Sequence, residues 1–361
     1  MRFKERYPDI LDRYERFWRG ADTDRPAMYI CFPRENPDAS VAPPEYSEPI
    51  DRLRPEVMLA GARHALARRD YFAEGFPHWF MNYGPGVLHA CLTGGELHVR
   101  DERTVWFPPF LEELEKFTEL EFEPQGRWWS TIRETTRLLL AEVGDEAVIS
   151  YTDIGGNADV LASVRGTEPF LLDCAMKPEV VRAAMDHIHV QWMAAYEDQH
   201  AVLSEGQDVF CSWWRLPSAG RTYMTQCDFN AMIGPDMFGD LFAPELAAVY
   251  AKLDHPAFHL DGLNTECHVP ALIEAGVQCV QWTPGPIGSP LKHLDMLRDI
   301  QAAGRSVTFA VGNLEQFETA CRELDHRRLL LIVDSPNLCP DRAAAGRLVE
   351  TALRICGKTG A

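Results

Sequence analysis

Several common signatures are missing from this 361-residue chain. It has no C-x-x-C pair, no G-x-G-x-x-G after a strand-like run and no phosphate-binding P-loop, and it lacks low-complexity tracts and short-period repeats. The dinucleotide-binding class therefore has no support. Long apolar runs are also absent. Stretches such as Leu329–Val333 are far shorter than the roughly 20 residues a bilayer span needs. Met1-Arg-Phe-Lys-Glu-Arg6 offers no apolar signal core, so a cytoplasmic location is expected. Basic residues are scarce: 35 Lys and Arg stand against 54 Asp and Glu, a formal charge of −19. Such a field repels phosphate backbones and anionic membranes, which excludes general nucleic-acid binding.

The ten cysteines lie mostly inside apolar runs, where a thiol packs as a small hydrophobe. A secreted disulfide framework is not expected in a chain of this length. The length itself fits one large domain or two ordinary ones.

Residues 1–145 read as an irregular elaboration. An amphipathic helix opens it near residues 7–19, then come a strand at 27–32, a Pro-rich loop at 33–49 and a helix near 55–69. The aromatic, glycine-rich stretch from Phe76 to Gly86, with Trp79, Tyr83 and nearby His89, is a candidate lid. From 146 to 361 a rhythm sets in. Short aliphatic runs at 147–151, 208–212, 221–227, 257–260, 277–282, 306–310 and 328–333 alternate with helical periodicity, as at 235–253, 290–303 and 342–355. Alternation of this kind implies a parallel sheet. Seven runs plus 27–32 make eight, the number of a single (β/α)8 TIM-type barrel.

In such barrels the chemistry collects at the C-terminal ends of the strands. Those ends carry Asp153, then Trp213-Trp214-Arg215, Asp228, His259 with Asp261, Trp282, Asn313 and Asp334. His259 and Asp261 stand at i and i+2, so in a strand both face one side. An imidazole nitrogen and a carboxylate oxygen are zinc ligands, with Cys267, Cys339, Asp228 and Asp334 as candidates to complete the set. The same pair could instead bind substrate, or hydrogen-bond to each other. Asp228 and Asp153 are candidate acid/base groups, because burial moves a carboxyl towards neutrality; a helix N-cap is the competing role. Trp213, Trp214 and Trp282 suit an aromatic wall or core packing, and Asn313 a substrate contact. Arg215 suits bidentate capture of a carboxylate or a surface ion pair.

The ordered set His259-Leu-Asp-Gly262, Val277-Gln-Cys-Val-Gln-Trp282-Thr-Pro-Gly285, Met232-Ile-Gly-Pro-Asp-Met-Phe238 after Asp228, and Leu171-Leu-Asp-Cys-Ala-Met-Lys-Pro-Glu-Val180 resembles the uroporphyrinogen decarboxylase superfamily. The resemblance covers roughly residues 145–355 and implies a (β/α)8 barrel with its site at the strand C-termini. Decarboxylases of that superfamily carry an arginine-rich N-terminal motif, where Tyr29-Ile-Cys-Phe-Pro-Arg34-Glu-Asn offers one Arg. The other branch comprises zinc- and corrinoid-linked methyltransferases, with a His-x-Cys metal motif and a later Cys. Here His259-x-Asp261 occupies that motif, and Cys339 lies close to the later position. The resemblance thus implies a metal ion, zinc by family, held by His259, Asp261 and Cys339. It further implies a corrinoid methyl acceptor on a partner protein, a small methylated substrate and a homodimer. Decarboxylation of a uroporphyrinogen-like tetrapyrrole and a non-catalytic small-molecule-binding barrel are the alternatives.

Overall fold

Strand β1 (Ala27–Pro33) illustrates how two cores are built from one chain. Ala27, Tyr29 and Cys31 enter one apolar cluster, while Met28, Ile30 and Phe32 enter another. Side chains alternate along an extended chain, and here both faces are apolar, as a sheet covered on both sides requires. The computed structural model describes residues 3–101, 104–285 and 288–357. Its further strands are β2 (Arg69–Ala73), β3 (His78–Trp79), β4 (His98–Val99), β5 (Val105–Trp106), β6 (Val148–Ile149), β7 (Thr222–Gln226), β8 (His255–Asp261), β9 (Cys279–Thr283), β10 (Ser306–Ala310) and β11 (Leu329–Val333).

Seven of these form one sheet in the order β2-β1-β11-β10-β9-β8-β7. All neighbours in it are parallel except β2, which runs antiparallel to β1. Strands β3 and β6 make a separate parallel pair, and β4 with β5 an antiparallel one. The architecture is thus mixed α/β, with helices between the parallel strands. The elaborated N-terminal region is not set apart from the sheet, since it supplies β1 and β2.

The larger apolar cluster lies between sheet and helices. The smaller one gathers Ala27, Tyr29 and Cys31 of β1 with Val148, Met224, Ala257, Cys279, Leu330 and Ile332. The helix Phe3–Arg19 closes it with Ile10, Tyr14, Phe17 and Trp18. No helix among the described residues is long and apolar enough to cross a membrane.

Two expectations from the sequence need correction. Residues 208–212 form no extended strand; only Phe210 bridges Ser218, in an antiparallel turn. The run at 235–253 is two helices, Pro235–Leu241 and Ala243–Tyr250, because Pro244 in the first turn of the second lacks the N–H that would continue the first. Tyr83 and His89 are fully buried, Tyr83 bonding Thr135 and His89 bonding Ser163.

Burial pushes the pKa of His89 down to about 4 from 6.5. The unfolded chain therefore binds this proton first as pH falls. The stability is full above 6.5 and is lost progressively towards pH 4, a contribution of roughly 3 kcal/mol. His89→Gln, which keeps a polar partner for Ser163, should lose less melting temperature than the parent chain across that window. Parallel slopes in thermal melts would refute this assignment.

Candidate metal centre

The register of β7 to β10 stacks side chains into rows on one sheet face. Met224, Ala257, Cys279 and Ser306 form the first row. Two residues further along, Gln226, His259, Gln281 and Thr308 align, and one step beyond that Asp261 stands beside Thr283. Met224, Ala257 and Cys279 of the first row face the smaller core, so period-2 alternation brings the polar row out on the same face. Chain direction then places it at the C-terminal strand ends.

Asp228, which begins the short turn after β7, joins the two β8 residues there. One ligand atom from each of Asp228, His259 and Asp261 lies within 4.8 Å of the others, a spacing able to hold a metal ion. His259 and Asp261 are half-buried and Asp228 is exposed. Asp261 Oδ1 is buried without a hydrogen-bond partner, as a ligand atom awaiting a cation would be. One nitrogen and two carboxylate oxygens suit a borderline or hard divalent ion, zinc included.

The imidazole is oriented from behind. Gln281 Nε2 donates to Thr283 Oγ1 at 2.7 Å, which turns its Oε1 towards His259 Nδ1. That oxygen can only accept, so Nδ1 carries a proton and Nε2 is the nitrogen left to face a metal. Trp213 meets the His259 ring edge-on, with centroids 4.8 Å apart, and Trp214 Nε1 donates to Thr308 Oγ1 at 3.1 Å. Both indoles thus sit over the polar row. Arg215, in the left-handed region at φ +51, holds its guanidinium over the Tyr29 ring and 3.1 Å from Asp334.

The carboxylates behind the triad were only half anticipated. Asp153 is buried, and burial followed by the charge of Asp228 lifts its pKa to about 7. The sequence reading missed Asp159 altogether. Its two oxygens accept the backbone N–H groups of Asp228 (3.0 Å) and Phe229 (2.8 Å), which fixes the turn that presents Asp228. Burial, and next Asp228, raise Asp159 to about 7 as well. Asp228 keeps an exposed surface, yet the protein packed around its carboxyl desolvates and raises it, against the pull of His259 and with a further rise from Asp261. The turn before Asp159 needs glycine: a Cβ on Gly156 would stand 2.0 Å from the Gln226 carbonyl oxygen. An acidic residue in the first turn of the helix Asn157–Arg165 was the one available sign of Asp159.

The other candidates lie elsewhere. Trp282 points into the larger core beside His293, on the face of β9 opposite Gln281. Asn313 caps the helix Leu314–Glu323 by accepting Gln316 N–H at 2.9 Å. Cys339 is buried with its Sγ 3.6 Å from the Asp341 carbonyl, outside the triad. Cys267 is exposed and contacts the Asn264 carbonyl. His268 is fully buried and bonds the Asn230 carbonyl.

No protein-family model matches this chain, and no curated protein matches it at a significant level.

Removing the acceptor behind His259 should be felt at its other nitrogen. Gln281→Leu is expected to weaken zinc binding by about 10–100-fold, the usual cost of losing such a partner, while the sheet stays folded. Calorimetric titration with zinc reads this directly. Unchanged affinity would show that Gln281 does not orient the ligand.

Proposed function

We propose that this chain is a metal-dependent enzyme of the (β/α)8 barrel type that acts on a small methylated substrate, transferring the methyl group to a corrinoid carried by a partner protein. The observation that carries the metal part is the convergence of Asp228, His259 and Asp261 within 4.8 Å at the strand C-termini. The barrel part is supported by the smaller core, which joins β1 to β7 across the two-stranded β3–β6 pair through Phe76, Val148 and Met224. On this reading β1, β3, β6 and β7 to β11 are the eight parallel strands, and β2 is an addition. The methyl-transfer part rests on the resemblance to the uroporphyrinogen decarboxylase superfamily.

Asp228, His259 and Asp261 would hold the ion. Bound there, a divalent cation supplies Lewis acidity, polarising the oxygen or nitrogen that carries the methyl group. Two carboxylates and no thiolate keep the site hard, which suits an oxygen or nitrogen better than sulfur. Trp213 and Trp214 cover the polar row, excluding water and offering flat apolar contact to the substrate. Arg215 is placed to take a substrate carboxylate in bidentate fashion, in exchange for its contact with Asp334. Asp153, buried and unpartnered at Oδ1, is the group suited to take up or release a proton at that oxygen.

Metal analysis combined with ultraviolet-visible titration against cob(I)alamin and methylcobalamin tests the whole reading. About one divalent ion per chain is expected from this triad. His259→Ala and Asp261→Asn should abolish it while leaving the fold intact by circular dichroism. A spectral change with corrinoid is expected only in the metal-loaded protein. Absence of stoichiometric metal together with full activity of His259→Ala would overturn the metal part. Conversion of uroporphyrinogen to coproporphyrinogen would replace methyl transfer by decarboxylation.

A further inference from the structure

The opposite ends of the same strands carry a second concavity. A cleft of about 620 Å3 is lined by Glu15, Trp18, Arg19, His255, Arg305 and Arg328, among others, with Gln278 in its floor. These residues precede or begin β8 to β11, or belong to the helix Phe3–Arg19. His255 and Asp261 are the two ends of β8, so roughly 20 Å separates this cleft from the candidate metal centre.

The acids in the cleft are already engaged. Glu15 accepts Arg19 at 2.6 Å and faces His255 Nε2 at 3.4 Å, and Asp254 takes the backbone N–H of Arg221 at 2.7 Å. Among the described residues, two of the arginines have no carboxylate partner. Arg305 reaches only the Ile273 carbonyl at 3.3 Å, and its Nε is buried with no partner. Arg328 reaches only the Arg19 carbonyl at 3.4 Å and lies against Gly20, where a side-chain Cβ would collide with its guanidinium. Both bonds are long and made to neutral oxygens, so among the described residues neither guanidinium meets a carboxylate. The floor is rigid: Trp18 stacks on His255 at 4.8 Å and 11°, His255 Nδ1 donates to Gln278 Oε1 at 2.9 Å, and Gln278 Nε2 donates to the Asp254 carbonyl at 2.8 Å.

We infer that this cleft is a second ligand site, separate from the metal triad, which binds a small oxyanion-bearing molecule through Arg305 and Arg328. A planar, forked donor pair matches phosphate or carboxylate oxygens, and an acidic chain that keeps two such groups unneutralised in one concavity has a ready place for that charge. The inference does not depend on any metal or on the proposed reaction.

Isothermal titration of the full chain with inorganic phosphate, and separately with citrate, tests it. Saturable binding of at least one is expected; phosphate alone assigns a phosphate ester and citrate alone a polycarboxylate. Arg305→Gln and Arg328→Gln should each weaken binding about tenfold or more, the loss of one charge-assisted bond. Glu15→Gln should tighten it, a gain that a misfolded protein cannot produce. No saturable binding of either anion, or unchanged affinity across the three variants, overturns the proposal.

Discussion

The parallel register of β7 to β10 is the constraint from which the candidate site follows. Once Met224, Ala257 and Cys279 are buried in the smaller core, Gln226, His259 and Gln281 have no freedom of facing. A slip of one residue would put the histidine among the helices and Phe258 or Leu260 in its place. Apolar burial, not any attraction between ligands, therefore brings an imidazole and two carboxylates together. Burying a side chain the size of Met224 is worth about 1.5–3 kcal/mol.

That repulsion is nonetheless concentrated. Asp153, Asp159 and Asp228 disfavour one another's charged forms, and burial acts on all three in the same direction. The fold offsets part of this with N–H donors: Gly155 and Gly86 for Asp153, and Asp228 and Phe229 for Asp159. Asp261 Oδ1 and Asp153 Oδ1 receive none. Such a cluster is costly as a bare arrangement and becomes favourable when a cation shares the site, because the ion's charge inverts the local balance. The acids that the chain holds in excess are thus not all a solvated surface.

Much of this was legible in the sequence, for physical reasons. Alternating apolar runs fixed the positions of β1, β8, β10 and β11 to within two residues at either end, since burial on both faces leaves a long aliphatic signal. His259 and Asp261 could be paired by parity alone. Parity also could have placed Trp282 against the larger core, one residue from Gln281, but an aromatic at a strand end reads equally as a binding wall. The 208–212 run has strand composition, yet it turns back at Ser218 and pairs only with its own hairpin. Asp159 and Gln281 act through contacts across 70 and 22 residues of chain, to Phe229 and His259. No local pattern encodes a partner at that separation. Cys339 was named because it lies close to the later cysteine position of the family it resembles; its Sγ meets the carbonyl of Asp341, the N-cap of the last helix.

Strands β8 and β9 finally connect the two ends of the molecule. His255 and Gln278 mark one end, His259, Asp261 and Gln281 the other, and between them lie Ala257 and Cys279 in a closed apolar layer. The helix Phe3–Arg19 seals that layer with Tyr14 and Phe17. This layer of side chains lies between the cleft and the metal centre. Any influence of one upon the other would have to travel as a displacement of β8 itself. Close packing resists such displacement, because a shift that moves His255 also moves Ala257 and Phe258 within their two cores. A single rigid strand therefore carries both the acidic end and the basic end, and it keeps them apart.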